Sequence, residues 1–292
     1  MSNVAGKDQT HYYAYDPSFE AALIFTLLFV ASSGYHMWQI WCMRSWYFIP
    51  FLIGCLLEVG GYVGRAISAT EETNQWTLLP FILQNLLLLL GPPFYAVSIY
   101  MVLGRLIALL EAGHYSIIRL RWLTKFFLVG DVLSILAQGA GGGMLSSADT
   151  KSALDLAKMI VLIGLGIQIA FFSLFIVATM VFHYRIHHQP TTKSCKILSP
   201  WKTLLLVLYG TSILIMLRSI FRVAEYAGGK EGELMIKEIY IYIFDAVPMI
   251  MVSVAFNVFH PANIIRSGPG ASFQLQEEES EMSLFEAARS RC

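Results

Sequence analysis

The chain has 292 residues, of which 56% are hydrophobic and only 14% are charged, whereas an average soluble domain has about 25% charged residues. This composition indicates an integral membrane protein. The 20 basic and 20 acidic residues balance, so no basic surface is expected for nucleic acid, and a nucleic-acid partner is not predicted. We predict one membrane domain with a tail at each end.

Seven apolar stretches are long enough to cross a bilayer as helices, which takes about 20 residues at about 1.5 Å per residue. The stretches do not alternate polar and apolar residues as barrel strands do, so the sequence predicts an all-α fold with seven transmembrane helices in one bundle. In chain order the predicted spans are Phe19 to Trp41, Tyr47 to Ala69, Leu78 to Met101, Phe126 to Ser146, Met159 to His183, Thr203 to Val223 and Ile239 to Phe259.

The membrane domain is predicted over residues 19–262, after an extracellular segment over residues 1–18. Basic residues crowd alternate connections, for example around Arg119 and Lys196, whereas the opposite connections are acidic, as at Glu71 and Glu72. This bias places the N-terminus outside and the C-terminus in the cytosol. Residues 263–292 contain the acidic run QEEESE and few aromatic residues, which predicts a disordered cytosolic tail.

Several charged residues fall inside the predicted spans, where each costs roughly 2.5 to 3.5 kcal/mol on insertion scales unless it is paired, hydrated or functional. Helix rise places Arg65, Arg218 and Asp245 about 6 to 9 Å below the outer ends of their spans. Because a short external loop makes spans six and seven neighbours, we predict an ion pair between Arg218 and Asp245. Arg222 and Glu225 are predicted to pair at the rim. Such pairs also serve to fix helix register, which is the structural alternative.

The remaining polar residues lie deeper. Glu58 and Gln138 are predicted near the midplane, and Asp131 about 7 Å from the cytosolic end. Glu58 has no basic residue at its own depth, because Arg65 lies about 10 Å higher on the same face of the helix. We therefore expect a functional role for Glu58, either as a neutral acid or by exchanging a proton. Together with the outer charges, these residues are predicted to line a substrate pathway between the leaflets.

Two spans contain residues that often interrupt helices. The third span contains Gly91, Pro92 and Pro93, and the end of the fourth contains a glycine run that includes Gly141 and Gly142. Broken helices line cavities in many membrane proteins, so these positions are predicted gates or helix breaks. Close packing through small residues is the alternative.

No enzyme is predicted, and neither a cofactor nor a metal. Asp131 and Asp245 do not follow the motif order of an intramembrane aspartyl protease. The histidines are scattered rather than clustered as zinc ligands, and the chain has no phosphate-binding loop of the G-x-x-x-x-G-K-[ST] type.

The intramembrane motifs resemble those of the fungal lipid-translocating exporters, the RTA-like proteins named for resistance to aminocholesterol. The resemblance extends from Tyr15 to Pro261. It rests, in chain order, on Tyr15-x-Pro17-Ser18, Glu58-x-x-Gly61-Tyr62-x-x-Arg65, Pro92-Pro93, Gly130-Asp131 with Gln138, Arg218-x-x-Phe221-Arg222-x-x-Glu225, Phe244-Asp245 and His260-Pro261. At position 91 this chain has Gly where Ala is commoner in the family.

The resemblance implies a plasma-membrane protein that exports or flips sphingoid long-chain bases, confers resistance to amphipathic toxic compounds or, in one branch, takes up porphyrin. Its partners would be membrane lipids or amphipathic small molecules. Our first hypothesis is a lipid translocator in which Glu58 and Asp131 attract a cationic head group, while Arg65 and Arg218 shape the outer gate. The alternative is a seven-helix receptor or sensor of lipid or drug stress, by fold-level analogy alone.

Overall fold

The computed structural model describes residues 17–71, 77–147, 150–196, 201–228 and 237–265. These residues form helices and connections without a strand, and seven of the helical segments are long and apolar enough to cross a membrane. The predicted all-α fold with seven transmembrane helices is therefore confirmed. Residues 1–16 of the segment predicted over residues 1–18, the tail beyond Ile265 and the connections at Glu72 and around Lys230 lie outside the described residues.

The first six spans are the helices α1 to α5 and α7, and the seventh is composite. The helices are α1 (Phe19–Cys42), α2 (Ile49–Thr70), α3 (Leu78–Leu109), α4 (Leu120–Ser147), α5 (Lys151–His188), the short α6 (Thr192–Lys196), α7 (Trp201–Gly228), α8 (Glu238–Ile241), α9 (Val247–Val258) and α10 (Pro261–Ile265). A π-helical segment, Tyr242–Ala246, joins α8 to α9, and these three together make span seven.

Local chemistry explains where several helices begin. The Ser18 hydroxyl accepts a hydrogen bond from the Ala21 amide, and Thr150 does the same for Ala153 at the start of α5. These side chains satisfy amides that have no partner within the helix. A short 3₁₀ helix, Trp46–Phe48, leads into α2, whose first turn contains Pro50. Proline suits a first turn because its missing N–H would be unpaired there in any case.

The spans pack as a closed ring in which α3 has an interior place. Each span contacts its neighbour in the chain, span seven contacts both α7 and α1, and α3 packs in addition against α5 and α7. The outer surface is apolar, with Leu136 and Leu206 more than 60% exposed. Many polar side chains are buried instead. This inversion of the usual soluble pattern is expected where lipid, rather than water, surrounds the bundle.

The predicted helix breaks are wrong. Helix α3 runs unbroken through Gly91, Pro92 and Pro93, and α4 runs unbroken through Gly141 and Gly142. In α4 the reason is packing, because a Cβ at position 141 would lie 2.9 Å from the carbonyl oxygen of Ala157 in α5. Gly141 therefore permits a close approach of two helices, as small residues commonly do in membranes. In α3 a side chain from another helix compensates for Pro92, as described below.

We predict that Gly141→Ala lowers the thermal stability of the purified protein in detergent, because the added methyl group meets the backbone of α5 and the Val161 side chain at 2.6 Å. Gly139→Ala is the matched control, since a Cβ there meets nothing within 4 Å. The control should keep or raise the melting temperature, because alanine costs less backbone entropy in a helix than glycine. Equal behaviour of the two variants would contradict this account of the α4–α5 contact.

Candidate functional site

Five charged side chains meet in the interior between α2, α7 and span seven. This charged cluster consists of Glu58, Arg218, Arg222, Glu225 and Asp245, all at most 5% exposed. Its centre is Asp245, which lies in the π-helical segment. Oδ1 of Asp245 pairs with Nε of Arg218, and Oδ2 pairs with Nη2 of Arg222. One carboxylate thus joins two arginines that lie one helical turn apart on α7.

Arg218 makes a second contact through the backbone of α3. Its Nη2 donates a hydrogen bond to the carbonyl oxygen of Leu88. In an unbroken helix this oxygen would accept from the amide of residue 92, but Pro92 has no amide hydrogen. The guanidinium therefore supplies the donor that the proline removed. This explains how α3 continues through Pro92 without leaving a buried carbonyl unpaired.

The sequence-based expectation that Glu58 lacks a cationic partner is wrong. Oε1 of Glu58 lies 3.8 Å from Nη2 of Arg218, although the Cα depth estimate put Arg218 in an outer layer. Helical side chains incline toward the N-terminus of their helix, and the long side chain of Arg218 spans the difference in depth. Helix rise gives the depth of the Cα atoms only and does not account for the length of the Arg218 side chain.

Glu58 is paired only loosely. The 3.8 Å separation is an ion contact but exceeds hydrogen-bond distance, and neither Glu58 oxygen has a hydrogen-bond partner among the described residues. The carboxylate packs on Gly91 instead, where an added Cβ would lie 2.5 Å from Oε1. A fully buried carboxylate with unused acceptor sites has the chemistry to bind a donor, such as an ammonium group.

Arg222 and Glu225 are paired at 2.9 Å between Nη1 and Oε2. The two residues are 4% and 5% exposed, so the pair predicted at the rim is buried within the bundle. Helix α7 continues to Gly228, beyond the predicted end at Val223, and this extension keeps both side chains inside the bundle. The pair is therefore part of the charged cluster.

Arg65 belongs to a separate group at the start of span seven. Its Nη2 lies 2.8 Å from Oε1 of Glu238, and its Nε donates to the hydroxyl of Tyr242 at 3.0 Å. The same Glu238 oxygen accepts from the Ser18 amide at 2.9 Å. Sequence reasoning assigned no role to Glu238 and missed Tyr242. The available signal was that Arg65 and Glu238 both lie near the same end of their spans.

Asp131 and Gln138 lie on other interfaces. Gln138 donates to Gln168 of α5 at 2.9 Å and to Ser134 in its own helix. Asp131 faces the phenol of Tyr100 in α3, and both of its oxygens are without a hydrogen bond among the described residues. Of the predicted pathway residues, the structure brings together only Glu58, Arg218 and Asp245, and it pairs neither Asp131 nor Gln138 with a member of the charged cluster.

The charges of the ion-paired residues in the interior do not balance. Three arginines, Arg65, Arg218 and Arg222, face four carboxylates: Glu58, Glu225, Glu238 and Asp245. When all are ionised, the region has one negative charge in excess. Because a buried uncompensated charge is costly, the site favours a proton or another cation, and Glu58 has the free acceptors. Among the described residues no group of three His, Cys, Asp or Glu side chains is arranged to hold a metal ion.

A ring of seven apolar helices around a buried cluster of charges defines a polytopic membrane protein with a polar interior. Comparisons with known proteins refine this class. Residues 51–268 match the family model described as RTA1 like protein. The chain therefore belongs to the RTA1-like family, and the resemblance seen in the sequence is confirmed.

Three relatives, all from Saccharomyces cerevisiae, illustrate the range of the family. "Protein RTA1" is 36% identical, over 89% of this chain and 88% of its own length. "Protoporphyrin uptake protein 1" is 39% identical, over 72% of this chain and 67% of its own length. "Sphingoid long-chain base transporter RSB1" is 27% identical, over 77% and 67% of the two chains. No solved structure matches this chain.

We predict that Asp245→Asn lowers stability by about 3 to 5 kcal/mol, because it leaves two buried guanidinium groups without their shared carboxylate. Double-mutant cycles on thermal unfolding of the purified protein measure the couplings. Asp245 should couple to both Arg218 and Arg222. Arg65, which pairs with Glu238, is the control and should show little coupling. Zero coupling to all three arginines would mean that the ion pairs do not stabilise the fold.

Proposed function

We propose that this protein moves amphipathic lipids with a cationic head group, such as sphingoid long-chain bases, between the leaflets of the membrane. In doing so it would confer resistance to amphipathic toxic compounds. The observation that supports this most is the Glu58 carboxylate, which is fully buried while neither of its oxygens has a hydrogen-bond donor within the described ranges of the chain. The lipid-transport names of relatives in the same family support the substrate class.

The chemistry of the head group suits the site. A sphingoid base has a primary ammonium, which offers three hydrogen-bond donors as a lysine side chain does. It would provide the donors that Glu58 lacks and neutralise the excess negative charge. The alkyl chain would remain against the apolar surface of the helices, since moving a hydrocarbon chain into a polar interior would lose its transfer free energy.

Arg218 is the side chain that would respond. It is the cation nearest to Glu58, but it is held by Asp245 and by the Leu88 carbonyl. An incoming ammonium would replace the loose Arg218 contact without breaking the Asp245 pairs. Because Glu58 is fully buried, the head group would reach it only when neighbouring helices separate, which gives a physical basis for a gated pathway.

The excess of carboxylates also favours a sphingoid base over protoporphyrin, whose own carboxylates would be repelled. We further propose a plasma-membrane location with the N-terminus outside, residues 1–18 extracellular and the tail from residue 263 cytosolic. The distribution of lysine and arginine supports this orientation.

The test uses purified protein in phosphatidylcholine vesicles with a fluorescent sphingoid base, and protoporphyrin as a second probe. We predict that the protein speeds exchange of the base between leaflets. Glu58→Gln should reduce this rate at least about tenfold, the value of one charge-assisted hydrogen bond, with normal amounts of folded protein. Glu20→Gln, a change of the same type in the exposed first turn of α1, should leave the rate unchanged.

The outcomes separate the hypotheses. A normal rate of base exchange in Glu58→Gln would show that Glu58 has a packing role and does not bind the head group. Tight binding of the base without exchange would favour the alternative of a receptor or sensor. Transport of protoporphyrin in preference to the base would overturn the assignment of a cationic substrate.

A further inference from the structure

A cavity of about 260 Å³ lies where α1 ends, α2 begins and α3 ends. None of its lining residues belongs to the charged cluster, and its lining is basic where the cluster has an excess of carboxylates. Its polar lining comes from Arg44, Ser45, Tyr47 and Arg105, with Trp46 beside them. Two basic and two hydroxyl side chains, with no carboxylate among the lining residues, favour an anion.

The two arginines are available for a ligand. Among the described residues neither Arg44 nor Arg105 forms an ion pair, and both are exposed. The guanidinium carbon of Arg105 lies 4.1 Å from the centroid of the Tyr47 ring. This cation–π contact holds the guanidinium in a fixed position at the cavity, while its donors remain free.

Two hydroxyl groups of the lining are buried without partners. Neither Ser45 Oγ nor Tyr47 Oη has a hydrogen bond within the described part of the chain, and Ser45 is only 2% exposed. Ser45 also occupies the N-cap position of the 3₁₀ helix Trp46–Phe48, yet its side chain makes no capping bond. The ordinary structural role of serine at this position is therefore unused. A buried unpaired hydroxyl calls for a partner, which a ligand oxygen would supply.

The backbone of this turn is unusual as well. Arg44 has a φ of 45°, in the left-handed region that glycine adopts freely and other residues adopt at a cost. Strain of this kind is frequent at ligand sites. The turn places Arg44 at the cavity beside the buried hydroxyl of Ser45.

Nearby aromatic residues indicate the depth of the cavity in the membrane. Trp41 and Trp46 are 74% and 55% exposed, and their rings contact each other at 6.2 Å between centroids. Exposed tryptophans at the end of a span are typical of the interface between hydrocarbon and head groups. The cavity is thus at the level of lipid phosphates.

We propose that this cavity binds the phosphate group of an anionic ligand at the membrane interface, through the Arg44 and Arg105 guanidinium groups and the hydroxyls of Ser45 and Tyr47. The phosphate could belong to an anionic phospholipid or to a free phosphate compound, because both offer the same oxygens. The site is independent of the charged cluster and does not require the proposed transport activity.

The experiment measures binding to the purified full-length protein in detergent by thermal shift and by tryptophan fluorescence, since Trp46 lines the cavity. The probes are dioctanoyl phosphatidic acid, dioctanoyl phosphatidylcholine and inorganic phosphate. We expect phosphatidic acid to bind at least about tenfold more tightly than phosphatidylcholine. Each arginine should contribute a factor of roughly five to this ratio of dissociation constants.

Three variants make the result specific. Arg105→Gln should lower the preference for phosphatidic acid roughly fivefold. Arg44→Gly should do the same while keeping or raising the melting temperature, because glycine relieves the positive φ; a loss of binding there cannot result from misfolding. Arg119→Gln removes an exposed arginine from the connection between α3 and α4, outside the cavity, and should keep the preference.

Each outcome decides the proposal. Preference for phosphatidic acid that depends on Arg44 and Arg105, but not on Arg119, supports a lipid phosphate. Equal stabilisation by inorganic phosphate with the same dependence supports the site and assigns it to a free phosphate compound. No preference, or an equal loss in Arg119→Gln, overturns the proposal.

Discussion

The interior of this protein depends on one carboxylate that is shared between two arginines. Asp245 forms ion pairs with Arg218 and Arg222, which lie one turn apart on α7, and so ties span seven to the neighbouring helix. The π-helical segment that contains Asp245 is the kind of local irregularity that often occurs at functional positions in helices. With Arg218 fixed in this way, its second donor reaches Leu88 on α3, and α3 tolerates Pro92 without a break. The Arg218 side chain thus joins α7 to span seven and to α3.

The same arrangement leaves Glu58 under-satisfied. Arg218 is close enough to stabilise the Glu58 carboxylate electrostatically, yet its donors are directed at Asp245 and Leu88. Gly91 brings the carboxylate against the backbone of α3, where a larger residue would occupy the space. The fold therefore maintains an acidic group with unused acceptors inside an apolar ring of helices. Such a group costs free energy to keep, and this cost is a reason to regard it as functional rather than as a register-fixing pair.

Much of this organisation follows from sequence, and the failures have a common physical cause. Hydropathy and helix rise predict the seven spans and bring Arg218 and Asp245 to the same depth, where the structure pairs them. The estimate fails for Glu58 because it locates Cα atoms and ignores the length and inclination of the Arg218 side chain. The predicted helix break at Pro92 is wrong because proline breaks a helix only when nothing compensates for the lost hydrogen bond. Here the compensating donor comes from Arg218, 130 residues away in the chain. The contact of Arg65 with Tyr242 is likewise a tertiary contact between residues that are far apart in the chain.

If the unused acceptors of Glu58 recognise a positively charged head group, transport should distinguish two lipids of similar structure that differ in head-group charge. Exchange between leaflets would be compared for a fluorescent sphingoid base and its N-acetylated, uncharged counterpart, with the native protein and with Glu58→Gln. We expect the native protein to prefer the cationic base strongly and Glu58→Gln to lose this preference by slowing only the cationic base. Equal transport of both lipids by the native protein, or an unchanged preference in Glu58→Gln, would contradict this expectation.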